Sequence, residues 1–137
     1  MSLVLDASMA IAWLFADETT EATEAIFDEV AVAGAKVPAI WSLEVANALQ
    51  KAMRRGRMTS AERELALSQL GNLPIEVDPQ THLHAWGATL ELADLHGLSP
   101  YDASYLELAR RERKPLATLD ASLARAAKDV GIELKTP

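Results

Sequence analysis

Short apolar runs punctuate the chain, and the stretches between them have helical period. Leu3-Val4-Leu5 is the first run, and Asp6 ends it. Ala7 to Phe15 is too apolar for an exposed helix and long enough for a buried one. The next stretch, Asp17 to Glu29, holds six acidic residues beside a stripe of Ala22, Ala25, Ile26, Val30 and Ala33, with Gly34 as its stop. Its charges read as a solvated face. Lys36 to Ile40 is a second short strand and its exit. Trp41 to Arg55 follows as a helix whose buried stripe is Trp41, Val45, Ala48, Leu49 and Ala52. Glu44 lies at the edge of that stripe, with Asn47 on the same side. Thr59-Ser60-Ala61-Glu62 is a capping box opening a helix through Leu70.

Leu73 to Val77 alternates as a third strand. Asp78-Pro79 opens a helix with Leu83, Trp86, Leu90 and Ala93 at helical spacing, closed by Gly97. Ser99-Pro100-Tyr101-Asp102 starts another helix, with Pro100 at the first helical position. Pro115 to Leu119 is a fourth strand ended by Asp120, a helix runs through Lys128, and Ile132-Glu133-Leu134 is a last strand. Strands alternating with helices predict a three-layer α/β/α fold around a central parallel sheet of four to five short strands. No linker or low-complexity stretch interrupts the pattern, so a single domain over residues 1–137 is expected.

Asp-Ala-Ser occurs three times, at Asp6, Asp102 and Asp120, each at the start of a predicted helix. One account is that each aspartate caps its helix, worth about 1 kcal/mol apiece. The other starts from the sheet. Asp6 and Asp120 end strands, and in a parallel sheet strand C-termini line the edge where ligands bind. If the first and fourth strands are neighbours, the two carboxylates come together. Asp102 shares a helical face with Tyr105, Leu106 and Ala109, so it is aimed inward, which is costly for an unpaired charge. If Asp6, Glu44, Asp102 and Asp120 converge, their repulsion must be relieved by protonation or by a divalent cation. All-oxygen donors suit Mg²⁺ or Mn²⁺ rather than Zn²⁺.

Composition narrows the rest. The 137 residues are 50% hydrophobic and 24% charged, as in ordinary globular chains. A formal net charge of −7 repels nucleic acid overall, so a polyanionic partner needs a basic patch or bound cations. Cysteine is absent, which excludes disulfides and thiolate chemistry and makes a reducing cytoplasm the simplest expectation. No apolar stretch approaches ~18 residues, so no membrane span or membrane partner is expected.

Four segments together resemble the PIN domain, and within it the VapC toxins of prokaryotic toxin–antitoxin pairs. They are Val4-Leu5-Asp6-Ala7-Ser8, Trp41 to Leu49 around Glu44, Ser99 to Ala109 around Asp102, and Leu116-Ala117-Thr118-Leu119-Asp120. The resemblance spans essentially the whole chain. It implies a metal-dependent endoribonuclease with Asp6, Glu44, Asp102 and Asp120 as the acidic metal-binding set. It also implies supporting hydroxyls at Ser8 and Thr118, a homodimer, and a cognate antitoxin that covers the acidic centre. Asp6 and Asp102 are then the main ligands. Asp120 and Glu44 serve a second ion or its waters, and either helps to deprotonate the nucleophile.

Three rivals remain at this point. An aspartyl phosphatase normally carries a second Asp two residues after the first, where this chain has Ser8. A phospho-receiver module needs an acidic pair after the first strand and a phosphoacceptor after the third, where Asp78-Pro79 looks like a helix start. A housekeeping RNA-processing nuclease would keep the same site. Two basic clusters, Lys51-Arg54-Arg55-Arg57 and Arg110-Arg111-Arg113-Lys114, hold eight of the thirteen basic residues. They are either helix C-terminal charges or a flank that guides RNA. His82, His84 and His96 are assigned no catalysis, since the first two face different ways. Trp13, Trp41 and Trp86 are placed in the core. The Ala7–Phe15 helix and the Ala22–Ala33 stripe are core or a protein contact.

Overall fold

The computed structural model describes residues 2–135. The chain runs β1 (Leu3–Leu5), α1 (Ala7–Ala12), α2 (Glu21–Ala33), β2 (Ala35–Val37), α3 (Trp41–Arg54), α4 (Ser60–Gly71) and β3 (Ile75–Val77). It continues through α5 (Thr81–His84), α6 (Ala88–His96), α7 (Pro100–Glu112), β4 (Leu116–Ala117) and α8 (Ala121–Asp129). The four strands form one parallel sheet in the order β3-β2-β1-β4, and helices complete a three-layer α/β/α arrangement. β1 and β4 are neighbours, with Val4 opposite Leu116 and Leu5 opposite Ala117. That register sets the end of β1 beside the end of β4.

The strands are short but fully apolar where they matter. Leu3, Val4, Leu5, Leu116 and Ala117 are buried on both faces, as a covered parallel sheet requires. α7 is the most deeply buried helix, with Ala103 through Ala109 all buried. Trp13 pins α2 to the core through its indole N–H, which donates to the Thr23 carbonyl at 2.8 Å, and through an edge-on contact with Phe27. Gly34 ends α2 at φ +83°, where a Cβ would lie 2.9 Å from the Pro74 carbonyl oxygen. Only glycine fits that turn and that approach.

Four expectations shift. α1 stops at Ala12 rather than Phe15, because the Thr19 hydroxyl takes the Ala12 and Phe15 carbonyls and turns the chain back. The helix expected from Asp78 to Gly97 is broken at Gly87 into α5 and α6. The break changes the helical register, so α6 buries Thr89, Leu92 and Ala93. Leu83 is 66% exposed and Trp86 92% exposed, so Trp86 does not belong to the core. The last strand reduces to one parallel bridge between Leu134 and Leu116 along the outer edge of β4.

Of the two basic clusters, the second is partly inside the protein. Arg111 is bonded to Asp78 Oδ2 at 2.5 Å and to Glu107 Oε2 at 2.8 Å, and both carboxylate side chains are almost fully buried. Lys114 bonds Ser2, and Lys36 pairs with Glu112 at 2.7 Å. Burial alone would raise the Asp78 pKa, but Arg111, the Gln80 amide and the Thr81 hydroxyl together hold it below the usual range. Replacing Arg111 by Met leaves two buried carboxylates without their guanidinium. It is expected to lower stability by about 3–5 kcal/mol, read as a fall in the urea midpoint, with Arg110→Met as a near-neutral control.

Candidate active site

Asp6 leaves the end of β1 and is 4% exposed. It occupies the N-cap position of α1, yet its side chain makes no capping bond. Instead its Oδ2 accepts two hydroxyls, Ser8 at 2.5 Å and Thr118 at 2.7 Å. Each hydroxyl in turn accepts a backbone N–H from the β4 exit, Leu119 onto Ser8 and Asp120 onto Thr118, both at 3.0 Å. The hydroxyl protons are thereby aimed at one carboxylate oxygen. Among the described residues Oδ1 accepts no hydrogen bond.

The other two Asp-Ala-Ser aspartates differ from Asp6 and from each other. Asp120 is a true cap, its Oδ1 accepting the Leu123 N–H at 3.0 Å. Asp102 is not the cap of α7; Ser99 is, its hydroxyl accepting the Asp102 N–H at 3.1 Å. Asp102 therefore sits in the first turn of the helix, three residues after the cap, half-buried, and N-cap bonding does not explain its carboxylate. Glu44, on the first turn of α3, accepts the Tyr105 hydroxyl on Oε1 at 2.5 Å.

These four acids come from four places in the chain, and Asp6 and Asp102 each lie within electrostatic reach of the other three. Burial raises the Asp6 pKa above the usual carboxylate range, against the pull of Ser8 and Thr118, and Asp102 and Asp120 raise it further. Burial also raises Glu44, with Asp6 and Asp102 adding and Tyr105 opposing. Asp102 is raised by burial and by Asp120, with Ser99 opposing. Among the described residues none of the four has a Lys, Arg or His partner within salt-bridge distance. Nor do any three Asp, Glu or His side chains close into a ready-made metal cage. The acids are gathered at one edge, uncompensated, without converging on a common point.

Sequence reasoning placed Tyr105 on the inward face of its helix but not against Glu44, 61 residues away. A tyrosine hydroxyl buried in a helix needs a partner, which is the signal that was available. The basic cluster after α3 divides. Arg57 is paired with Asp17 and Glu18 at 3.2 Å and covers the Phe15 ring at 4.4 Å. Lys51, Arg54 and Arg55 are exposed, with no ion pair among the described residues.

The raised Asp102 pKa fixes the sign of a pH effect. With chelator present, the carboxylate is neutral below its unperturbed value of 3.8 and repels its neighbours once ionised. Wild-type stability from this group is thus present at low pH and lost as pH rises through the raised native pKa. Asp102→Asn removes the charge, so its stability relative to wild type is expected to grow from pH 3 to pH 7. Urea melts across that range check it, and a difference independent of pH overturns it.

Comparison with known proteins bears on the family and the fold. A family model described as "PIN domain" matches residues 3–129. The chain is 32% identical over 124 residues to Ribonuclease VapC3 of Pyrobaculum aerophilum, covering 90% of this chain and 93% of that protein. The crystal structure of PAE2754 from the same organism superposes with a TM-score of 0.71 at 24% identity, over 98% of this chain and 90% of that one. FitAcB from Neisseria gonorrhoeae superposes with a TM-score of 0.66 at 17% identity, over 98% and 96%. With a sheet of this order and with matches of this extent, the chain belongs to the PIN domain family.

Proposed function

We propose that this protein is an Mg²⁺- or Mn²⁺-dependent endoribonuclease, the toxin of a toxin–antitoxin pair. The observation that carries the reading is the gathering of Asp6, Glu44, Asp102 and Asp120 at the sheet edge with no cation beside them. The likeness to a protein named a ribonuclease supports RNA as the substrate. The donors available are carboxylate oxygens, one of which, Asp6 Oδ1, is left free by the hydroxyl clamp. That set fits a hard divalent ion that keeps waters and does not fit a zinc site, which favours nitrogen and sulfur.

In this reading Asp6 and Asp102 hold the ion. Ser8 and Thr118 fix the Asp6 carboxylate so that Oδ1 faces outward. Bound Mg²⁺ or Mn²⁺ supplies charge to polarise the phosphoryl oxygen and to acidify a water. Glu44 and Asp120 orient the attacking water and accept its proton, or serve a second ion. Bare carboxylates would repel a phosphodiester, so RNA approach depends on that neutralisation and on the exposed Lys51, Arg54 and Arg55. The same uncompensated charge suits a basic side chain from an antitoxin, which would exclude both ion and RNA. The working form in this proposal is a homodimer in the cytoplasm. No helix among the described residues is long and apolar enough to cross a membrane.

The test uses purified protein and a pool of cellular RNA. Wild type is expected to cut it with Mg²⁺ or Mn²⁺ and to stop with EDTA. Asp102→Asn is expected to fall to the EDTA level with an unchanged circular dichroism spectrum, and full activity in that variant removes Asp102 from the site. Co-expression with the product of a short adjacent reading frame distinguishes toxin from housekeeping nuclease: the toxin's growth arrest is suppressed. A double charge reversal, Arg54→Glu with Arg55→Glu, is expected to weaken RNA binding and to flatten its log–log salt slope by about two. An unchanged slope assigns these residues to helix-end electrostatics alone.

A further inference from the structure

Among the described residues, Tyr105 is the one aromatic side chain hydrogen-bonded to any of the four acids. It is 0% exposed, and its hydroxyl donates to Glu44 Oε1 at 2.5 Å. Two elements distant in sequence, α7 and α3, meet through that bond. Glu44 is otherwise unsupported: among the described residues no other side chain or backbone N–H donates to it. As a half-buried glutamate on a first helical turn it has rotamers that lead out to water. Turned inward, it faces two other carboxylates, Asp6 and Asp102, which push it away. The donor that offsets this push is Tyr105.

From this geometry we infer that Tyr105 is the positioning residue of Glu44, fixing Oε1 so that Oε2 is presented to the acidic centre. The inference rests on the nuclease reading above and adds to it a residue outside the acidic set. Burial first, and the Glu44 contact second, hold the phenol far above its ordinary pKa, so it remains a donor throughout the working pH range. The hydroxyl belongs to a rigid ring within the buried stretch Ala103–Ala109 of α7. It therefore restricts the glutamate more tightly than a mobile serine or lysine could. Removing such a support typically costs tenfold to a hundredfold in metal affinity or activity while the ligands themselves stay in place.

The experiment is a double-mutant cycle on the purified full-length chain: wild type, Tyr105→Phe, Glu44→Gln and the double variant. Two quantities are read. One is the affinity for Mn²⁺ alone, without RNA, from the free-ion electron paramagnetic resonance signal. The other is the single-turnover cleavage rate of an RNA pool at saturating Mn²⁺. Tyr105→Phe keeps the ring and is expected to reduce at least one of them by about 10- to 100-fold, with little change in melting temperature. In the Glu44→Gln background the same substitution is expected to cost nothing further. Should Phe fail to fold, Tyr105→Met removes the hydroxyl in a flexible side chain and is read the same way. Wild-type values for both quantities in Tyr105→Phe overturn the inference, and so does a loss that adds in full to that of Glu44→Gln. An inactive wild type that also fails to bind Mn²⁺ overturns the nuclease reading itself, a result distinct from either.

Discussion

The acidic edge depends on how one buried carboxylate is held. Asp6 is almost out of water, where an ionised side chain without partners is strongly disfavoured. Two short O–H bonds to a single oxygen offset part of that cost. They are possible because β1 pairs with β4 in a register that brings Thr118 over Asp6. The backbone of the β4 exit fixes both hydroxyls by donating to them. Fold and site are thus linked through the same few atoms: strand pairing orients the hydroxyls, and the hydroxyls orient the carboxylate. A one-residue slip of β4 would turn Thr118 to the opposite face and leave Asp6 unsupported.

The three Asp-Ala-Ser segments show how little a local motif decides by itself. Asp120 satisfies a helix N-terminus. Asp6 stands in the equivalent position and makes no cap bond, because the nearby hydroxyls bind it first. Asp102 lies in the first turn of its helix, where Ser99 already caps. The same three residues therefore do three jobs, and tertiary surroundings choose between them. The capping account that competes with a functional one holds for Asp120 and fails for the other two.

The order of strands and helices was readable because apolar runs of three to five residues and stripes of period 3.6 are local signals. The rule that parallel strands present their C-termini at one edge put Asp6 and Asp120 at that edge, but their approach hung on the condition that the first and fourth strands are neighbours, which only the sheet order supplies. What stayed hidden was non-local. Trp86 looked like a core residue because the periodicity was read straight through Gly87, where the chain in fact restarts its helix in a new register. Arg111 looked like half of a basic surface, yet its partner Asp78 lies 33 residues away and draws it inside. Tyr105 carried no mark of Glu44, since a bond across 61 residues leaves no periodicity to read.

Asp6 and Asp78 make an internal comparison. Both follow a strand of the same parallel sheet, β1 and β3, and both are buried. At Asp78 the fold supplies a guanidinium, a backbone amide and a hydroxyl, and the pKa is held below the ordinary value. At Asp6 it supplies two hydroxyls, and burial first, with Asp102 and Asp120 adding, raises the pKa. The cations exist in the chain: Arg57, Lys36 and Lys135 each pair with a carboxylate elsewhere. In a protein of net charge −7, the buried Asp78 is given a cation while Asp6, Glu44 and Asp102 are drawn from water beside other acids without one, which concentrates repulsion at that place. Such a local conflict costs folding stability and is relieved by protonation or by a cation that arrives from outside, and it is this conflict that supports the proposed binding centre.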